Sequence, residues 1–229
     1  MLPTPYPSPP PSPRCERQEH ACALLLFGGS GATVEKHGEY LTRLAEAMAL
    51  SLGATDAIVF YPPRKKNGCG GSWAEYEPTA LEVAAKGWPA AWQSTRHAAL
   101  GDVNVACESA LFEAAERVEK LERLWLVGVS NGAIAAVHLA TLFGPHVNGV
   151  ALLSGLPAVE QMDHLIPNLR TGVCLTLGSQ EEYFGGRDSF ISVAAALDAR
   201  VIEYEGKHAR ETPSAVQRVC QVLLQHSAR

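Results

Sequence analysis

The sequence predicts an α/β protein in which a mostly parallel sheet of about six strands carries helices on both faces. Short apolar segments of strand length alternate with longer segments whose apolar residues recur at helical intervals. One apolar segment also passes through Gly128-Val-Ser130-Asn-Gly132 into an alanine-rich helical segment. Strands that alternate with helices in this way are typical of a parallel sheet.

The predicted strands and helices follow one another from residue 23 onward. The strands are Ala23–Phe27, Ala57–Tyr61, Leu124–Val129, Val147–Leu153, Gly172–Leu177 and Arg200–Tyr204. The helices are Val34–Leu52, Asp102–Lys120, Asn131–Phe143, Asp188–Leu197 and Thr212–His226. In such folds, functional groups gather beyond the carboxyl ends of the strands, so we expect the functional site at that edge.

Residues 1–19 are rich in proline, which removes backbone donors and fixes φ, so they are expected to form a disordered or polyproline-II tail. Residues 20–229 are predicted to form one domain. The tail lacks the apolar segment that forms the central part of a secretory signal peptide. The P-x-x-P pattern from Pro7 to Pro10 raises the alternative of an adaptor that binds an SH3-like partner, but a solvated tail is the simpler interpretation.

Charge and composition exclude several classes of partner. A net charge of −5 provides no basic surface for nucleic acid or an anionic membrane. No apolar run approaches the length of a membrane span, about 18 residues. The six cysteines are scattered without a C-x-x-C motif, so we expect buried free thiols and a cytoplasmic location. Import into an organelle through the tail is the weaker alternative.

A connection of about forty residues between the second strand and helix Asp102–Lys120 is unusually long. It contains Trp73 and a lid-like insertion around residues 74–101 that includes Trp88 and Trp92. An aromatic insertion at the active edge of the sheet suggests a lid or the wall of a substrate pocket. Alternatively, the tryptophans anchor a helical hairpin to the core.

Ser130 is the candidate nucleophile, because Gly128-Val-Ser130-Asn-Gly132 fits the G-x-S-x-G nucleophile elbow. A serine on a strained strand-to-helix turn has close neighbours, and glycine two positions to either side avoids a collision. The alternative is that both glycines merely permit a tight turn while Ser130 caps the helix.

A serine nucleophile needs a base and an acid that orients the base. In the elbow fold these follow in the order Ser, then Asp or Glu, then His. Glu181 comes just after the strand ending at Leu177 and is the candidate acid, with Glu182 and Asp188 as alternatives on the same loop. His208 follows the last strand and is the candidate base.

The glycine-rich loop after the first strand is the candidate oxyanion loop. Small residues in Phe27-Gly28-Gly29-Ser30-Gly31 let the backbone approach a substrate carbonyl. We assign the oxyanion donors to the backbone N–H groups of Ser30 and Asn131, and Phe27, Gly28 and Gly29 to the substrate pocket together with Trp73, Trp88 and Trp92. A nucleotide-binding loop is excluded, because Val34 stands where G-x-G-x-x-G requires its third glycine.

With these residues, the chain resembles the phospholipase/carboxylesterase branch of the α/β-hydrolases, which includes acyl-protein thioesterases. The resemblance covers about residues 21–226 and includes the elbow, the loop at 28–31, Pro62-Pro63 followed by Gly70-Gly-Ser-Trp73, and Gly178 three residues before Glu181. The chain departs from the family pattern at Phe27-Gly28, where His-Gly is common, at Asn131 in place of Gln, and at Glu181 in place of Asp.

The resemblance implies an α/β-hydrolase fold and a serine hydrolase that cleaves a small-molecule carboxylic ester or thioester through an acyl-serine, without a metal or organic cofactor. Two alternative enzymes would use the same nucleophile, acid and base, Ser130, Glu181 and His208: an acyltransferase or a lactonase. A further alternative is a ligand-binding protein of the same fold with weak catalysis. The oligomeric state is left open.

Overall fold

A computed structural model of the chain describes residues 22–62, 73, 84–85, 112–113, 123–158, 161–162 and 171–227. Within these residues, one sheet contains six strands in the order β2-β1-β3-β4-β5-β6, and every neighbouring pair is parallel. The strands are β1 (Cys22–Phe27), β2 (Asp56–Phe60), β3 (Arg123–Val129), β4 (Val147–Leu153), β5 (Val173–Gln180) and β6 (Arg200–Lys207). The predicted fold class is therefore confirmed.

The helices of the described chain agree closely with the predicted ones. They are α1 (Val34–Leu52), α2 (Gly132–Leu142), α3 (Gly186–Ala196) and α4 (Pro213–Ser227), with short 3-10 helices at Gly144–His146 and Tyr183–Gly185. The predicted helix Asp102–Lys120 lies outside the described residues except for Phe112 and Glu113, which are helical. The tail at 1–19 and nearly all of the insertion at 74–101 also lie outside them.

Strands β5 and β6 run about three residues further than the sequence predicts. Gly178 and Gly206 resemble turn signals, which is why the predicted strands end early. In the structure the two strands stay paired through a register shift at Gly178, and Gln180 still pairs with Lys207. This extension carries β5 and β6 up to the loops that contain Glu181 and His208.

Both faces of the sheet are buried beneath helices, as predicted. In β1, Leu25 and Phe27 belong to one hydrophobic cluster and Leu24 and Leu26 to another, because successive side chains of a strand point to opposite faces. The first cluster includes residues of α2 and α3, and the second includes residues of α1 and α4. The sheet is thus the rigid middle layer that carries the loops at its carboxyl edge.

His138 is a buried polar residue in α2, with 8% of its surface exposed. Neither ring nitrogen has a hydrogen-bond partner among the described residues. Burial disfavours the charged imidazolium and lowers the pKa of His138 from its ordinary value of 6.5. As the pH falls below 6.5, His138 therefore becomes protonated in the unfolded chain, whereas it stays neutral in the folded chain until the pH reaches its lowered pKa.

We expect the free energy of unfolding to decrease as the pH falls from about 6.5 toward the lowered pKa of His138, by at most about 1.4 kcal/mol per pH unit. Urea unfolding at several pH values measures this slope. His138→Leu should flatten it, whereas Leu142→Ala, which changes an exposed residue of the same helix and no titratable group, should leave it unchanged. An unchanged slope in His138→Leu would mean that other groups cause the acid sensitivity.

Three cysteines lie in the described part of the chain, and all three are buried free thiols: Cys22, Cys174 and Cys220. Burial raises the pKa of Cys174 to about 12 and that of Cys220 to about 11. Because the thiolate is the reactive form, neither thiol competes with a serine for electrophiles at neutral pH. No helix in the described ranges has the length and apolar character needed to cross a membrane.

Candidate active site

Ser130 lies at the turn between β3 and α2, in the geometry that the elbow predicts. Its φ is 52°, a left-handed conformation that is strained for a residue other than glycine. Its backbone N–H donates to the carbonyl oxygen of Leu153 at 2.8 Å, which ties the turn to the end of β4. A hydrogen bond to the neighbouring strand β4 therefore helps to hold the strained turn in place.

Gly128 and Gly132 are required by close backbone contacts around this turn. A Cβ atom at Gly128 would collide with the backbone of Ala133, and one at Gly132 would collide with the carbonyl of Phe27. These collisions explain why the G-x-S-x-G pattern has glycine two positions before and two positions after the serine. Any larger side chain at either position would displace Ser130.

His208 connects Ser130 with Glu181 through hydrogen bonds on both nitrogens of its ring. Its Nε2 lies 2.7 Å from Ser130 Oγ, and its Nδ1 lies 2.8 Å from Glu181 Oε2. The side chain of Glu181 is 1% exposed and that of His208 is 17% exposed. The structure thus brings together the three residues predicted as nucleophile, base and acid, and an imidazole in this position can take a proton from the serine hydroxyl.

The two alternative acids lie elsewhere. Glu182 is exposed at the start of the 3-10 helix Tyr183–Gly185, and Asp188 is exposed in the first turn of α3. Glu181, in contrast, is oriented by a second hydrogen bond, because its Oε1 accepts from the backbone N–H of Tyr183 at 2.8 Å. The geometry favours Glu181 as the partner of His208.

Two aromatic residues that follow the acid pack against the His208 ring. The ring centroid of Tyr183 lies 4.5 Å from that of His208, and the centroid of Phe184 lies 5.8 Å from it. Phe184 is buried and has a φ of 55°. The sequence patterns assign these two residues no role. Their position, two and three residues after the candidate acid, is the sequence feature that could have indicated contact with His208.

The predicted oxyanion loop lies directly against the nucleophile. A Cβ atom built on Gly29 would lie 3.0 Å from Ser130 Cβ and 3.5 Å from Ser130 Oγ. Asn131, the residue after Ser130, has helical dihedral angles and begins the turn that leads into α2. The backbone of the loop and the start of the helix therefore flank the serine hydroxyl, where amide groups can stabilise negative charge. The donor roles of Ser30 and Asn131 stay predictions.

Trp73 links the two sides of this arrangement. Its indole Nε1–H donates to the carbonyl oxygen of Gly28 at 2.6 Å, and its backbone N–H donates to Asn131 Oδ1 at 3.0 Å. Its ring packs edge-on against Phe27, with centroids 5.4 Å apart. Trp73 therefore fixes the distance between the loop at Gly28 and the residue that follows the nucleophile.

The residues predicted to line a substrate pocket have different positions. Phe27 and Trp73 are 0% and 2% exposed, so their side chains support the loop from the core. Gly28 and Gly29 lie in the loop beside Ser130. Trp88 and Trp92 lie outside the described residues. The pocket itself stays a prediction.

Comparisons with known proteins relate the fold of this chain to that of solved structures. No protein-family model matches the chain, and none of the curated proteins is significantly similar to it. Solved structures do match. Esterase PE8 superposes with a TM-score of 0.65 at 15% identity, over 90% of this chain and 93% of that chain. A carboxylesterase from Mesorhizobium loti has a TM-score of 0.59 at 23% identity and covers 90% of both chains.

A third matching structure is described as a hydrolase of the α/β superfamily. A protein from Xanthomonas campestris assigned to the α/β hydrolase superfamily has a TM-score of 0.50 at 18% identity, over 89% of this chain and 96% of that chain. The chain has the α/β-hydrolase fold. In this fold the nucleophile elbow joins a strand to a helix at the carboxyl edge of the sheet, which is where Ser130 lies between β3 and α2.

Proposed function

We propose that this α/β-hydrolase-fold protein is a serine hydrolase that cleaves a carboxylic ester or thioester through an acyl-serine intermediate. The observation that carries the proposal is the hydrogen-bond chain from Ser130 through His208 to Glu181, with atom separations of 2.7 and 2.8 Å. The structural neighbours named as esterases support the same reaction class. The thioester alternative rests on the resemblance to acyl-protein thioesterases.

The first half of the reaction forms the acyl-serine. His208 Nε2 takes the proton of Ser130 Oγ as that oxygen attacks the carbonyl carbon of the substrate. Glu181 holds the imidazole through Nδ1 and stabilises its positive charge. When the tetrahedral intermediate collapses, His208 gives its proton to the departing alcohol or thiol, and the acyl group remains on Ser130.

The second half releases the acid. Water enters after the alcohol or thiol has left, and His208 takes its proton as the water oxygen attacks the acyl carbon. Collapse of this second intermediate breaks the bond to Ser130 Oγ, returns the proton to that oxygen and frees the carboxylic acid. In both halves the backbone N–H groups of Ser30 and Asn131 are the proposed donors to the oxyanion, each worth about 3 kcal/mol in such sites.

The test of this proposal is covalent labelling by a fluorophosphonate probe, which reacts with activated serines. We expect the native chain to be labelled, and Ser130→Ala and His208→Ala to remain unlabelled. Ser227→Ala, at an exposed position near the end of α4, is the matched control and should label like the native chain. Peptide mapping of the adduct should identify Ser130. A folded native chain that does not react would show that Ser130 is not activated.

The contacts of Trp73 lead to a second expectation about this reaction. Trp73→Phe preserves an aromatic ring against Phe27 but removes the indole N–H that holds the Gly28 carbonyl. A loosened oxyanion loop should stabilise the transition state less, while ground-state binding changes little. We expect kcat for p-nitrophenyl butyrate to fall about tenfold with KM nearly unchanged, a loss of about 1.4 kcal/mol.

Trp125→Phe provides the control for this measurement. Trp125 is also a buried tryptophan, but it belongs to the hydrophobic cluster on the opposite face of the sheet from Trp73. Its replacement removes the same chemical group without touching the loop. An equal reduction of kcat in both variants would mean that Trp73 contributes only to general stability.

A further inference from the structure

A cluster of polar side chains lies beneath the candidate active site and has no part in the reaction as described so far. It consists of Ser154, Thr176, Tyr204 and Glu211, and we call it the Glu211 cluster. Glu211 Oε1 accepts hydrogen bonds from Ser154 Oγ at 2.7 Å and from Thr176 Oγ1 at 2.9 Å. Thr176 Oγ1 also accepts from the backbone N–H of Ser154 at 2.8 Å. One carboxylate oxygen therefore joins the residue that follows β4 to the middle of β5.

The Glu211 cluster also holds the loop that carries His208. The Tyr204 hydroxyl lies 2.8 Å from Ser154 Oγ, donates to the carbonyl oxygen of Lys207 at 2.8 Å and accepts from the backbone N–H of Arg210 at 3.3 Å. These contacts lie on either side of His208, and Glu211 anchors the chain one residue later. The loop is therefore fixed before and after the imidazole.

Backbone strain in the same loop shows that these bonds hold it in place. Ala209 has a φ of 50°, a conformation that costs an alanine on the order of 1 to 2 kcal/mol. A short loop keeps such a residue only when surrounding contacts determine its conformation. The hydrogen bonds to Arg210 N–H and Glu211 are contacts of this kind.

The same cluster reaches the segments that carry the other two members of the hydrogen-bond chain. Leu153, directly before Ser154, accepts the hydrogen bond from the backbone N–H of Ser130 at 2.8 Å. Thr176 lies in β5, the strand that leads to Glu181. Glu211 is thus bonded to the strands beneath the nucleophile and the acid while it belongs to the loop of the base.

We propose that Glu211 is a positioning residue of the hydrolase, which sets the place of His208 relative to Ser130 and Glu181. The inference rests on the proposed function. Glu211 acts through the loop and not on the substrate, because its carboxylate contacts Ser154 and Thr176 and the imidazole contacts Glu181. Misplacement of a catalytic group by about 1 Å is enough to reduce a rate about a hundredfold.

The test compares Glu211→Ala with Glu211→Gln, since glutamine keeps a carbonyl oxygen that can accept from both hydroxyls. We expect Glu211→Ala to lower kcat for p-nitrophenyl butyrate about 10- to 100-fold with KM nearly unchanged. Glu211→Gln should restore most of the rate. Glu203→Ala is the control, because Glu203 is an exposed residue of β6 that pairs with Arg187 on the surface. It should match the native chain.

Two further measurements separate positioning from loss of stability. In the His208→Ala background, Glu211→Ala should cause no additional loss of the residual rate, because the residue through which it acts is already absent. Tyr204→Phe, a milder change that removes only the hydroxyl holding the loop, should lower kcat in the same direction. If Glu211→Ala does not fold, Glu211→Gln and Tyr204→Phe still decide the question.

The outcomes also separate this inference from the proposed function. If the native chain is labelled at Ser130 and hydrolyses the ester, but folded Glu211→Ala and Tyr204→Phe both keep the native kcat, the positioning role is wrong and the hydrolase proposal stands. An additional loss in the His208→Ala background would likewise overturn it. If native Ser130 is not labelled, the proposed function itself fails, and the positioning role fails with it.

Discussion

Ser130→Ala is expected to lower kcat/KM for ester hydrolysis by at least about ten-thousandfold, because no acyl-serine can form without the hydroxyl. The residual rate should come from the oxyanion donors and substrate binding alone. The methyl group of alanine fits the space of the serine side chain, so the elbow should keep its φ of 52°. Steady-state kinetics with p-nitrophenyl butyrate measures the loss.

The stability of Ser130→Ala shows whether this loss is chemical. Since Ser130 Oγ makes its hydrogen bond to His208 and the turn is held by the backbone bond to Leu153, we expect the free energy of unfolding to change by less than about 1 kcal/mol. Urea unfolding checks this. A folded Ser130→Ala variant with near-native turnover would exclude Ser130 as the nucleophile. The hydrogen bonds that join Ser130, His208 and Glu181 would then have no catalytic role.

The sequence predicts the fold well because its signals are local. Most strands of the sheet are short apolar segments, and α1 and α4 have apolar residues at helical intervals, so their alternation indicates a parallel sheet with helices on both faces. The elbow is equally local, since Gly128 and Gly132 are needed by contacts within a few residues of Ser130 and with the neighbouring strand. For the same reason α1 was predicted at its observed bounds, Val34–Leu52.

The distant members of the candidate site could be predicted only through the order of the strands. Glu181 and His208 follow successive strands, and parallel strands bring their carboxyl ends to one edge. That argument leads to the loops that contain Glu181 and His208, but it cannot select among Glu181, Glu182 and Asp188. The choice depends on which side chain is buried and faces the imidazole, which is a property of packing and not of sequence order.

Supporting contacts were beyond the reach of the sequence pattern. Trp73 contacts Gly28 and Asn131 across separations of 45 and 58 residues, and Glu211 contacts Ser154 across 57. No periodicity or motif connects positions so far apart. Glu211 follows His208 closely in a loop of polar residues, and there it resembles an ordinary solvated acid until the structure brings Ser154 and Thr176 to it.

Glu181→Gln is expected to lower kcat by about a thousand- to ten-thousandfold while KM changes little. A glutamine fits the site, but its amide cannot stabilise the imidazolium that forms when His208 takes the proton of Ser130, and it can stabilise the wrong tautomer of the ring. The buried position of Glu181 strengthens this effect, because a side chain that is 1% exposed interacts with His208 with little screening by water. Steady-state kinetics at constant pH measures the loss.

The two alternative acids provide matched controls for this prediction. Glu182→Gln and Asp188→Asn each neutralise a carboxylate on the same loop, but both side chains are exposed and neither residue provides the carboxylate that His208 contacts. Their kcat values should stay within about twofold of the native value, because exposed charges at a distance are strongly screened. A large loss in either control, together with native turnover in Glu181→Gln, would transfer the role of the acid to that residue. It would also mean that the hydrogen bond from His208 to Glu181 is replaced by another contact during turnover.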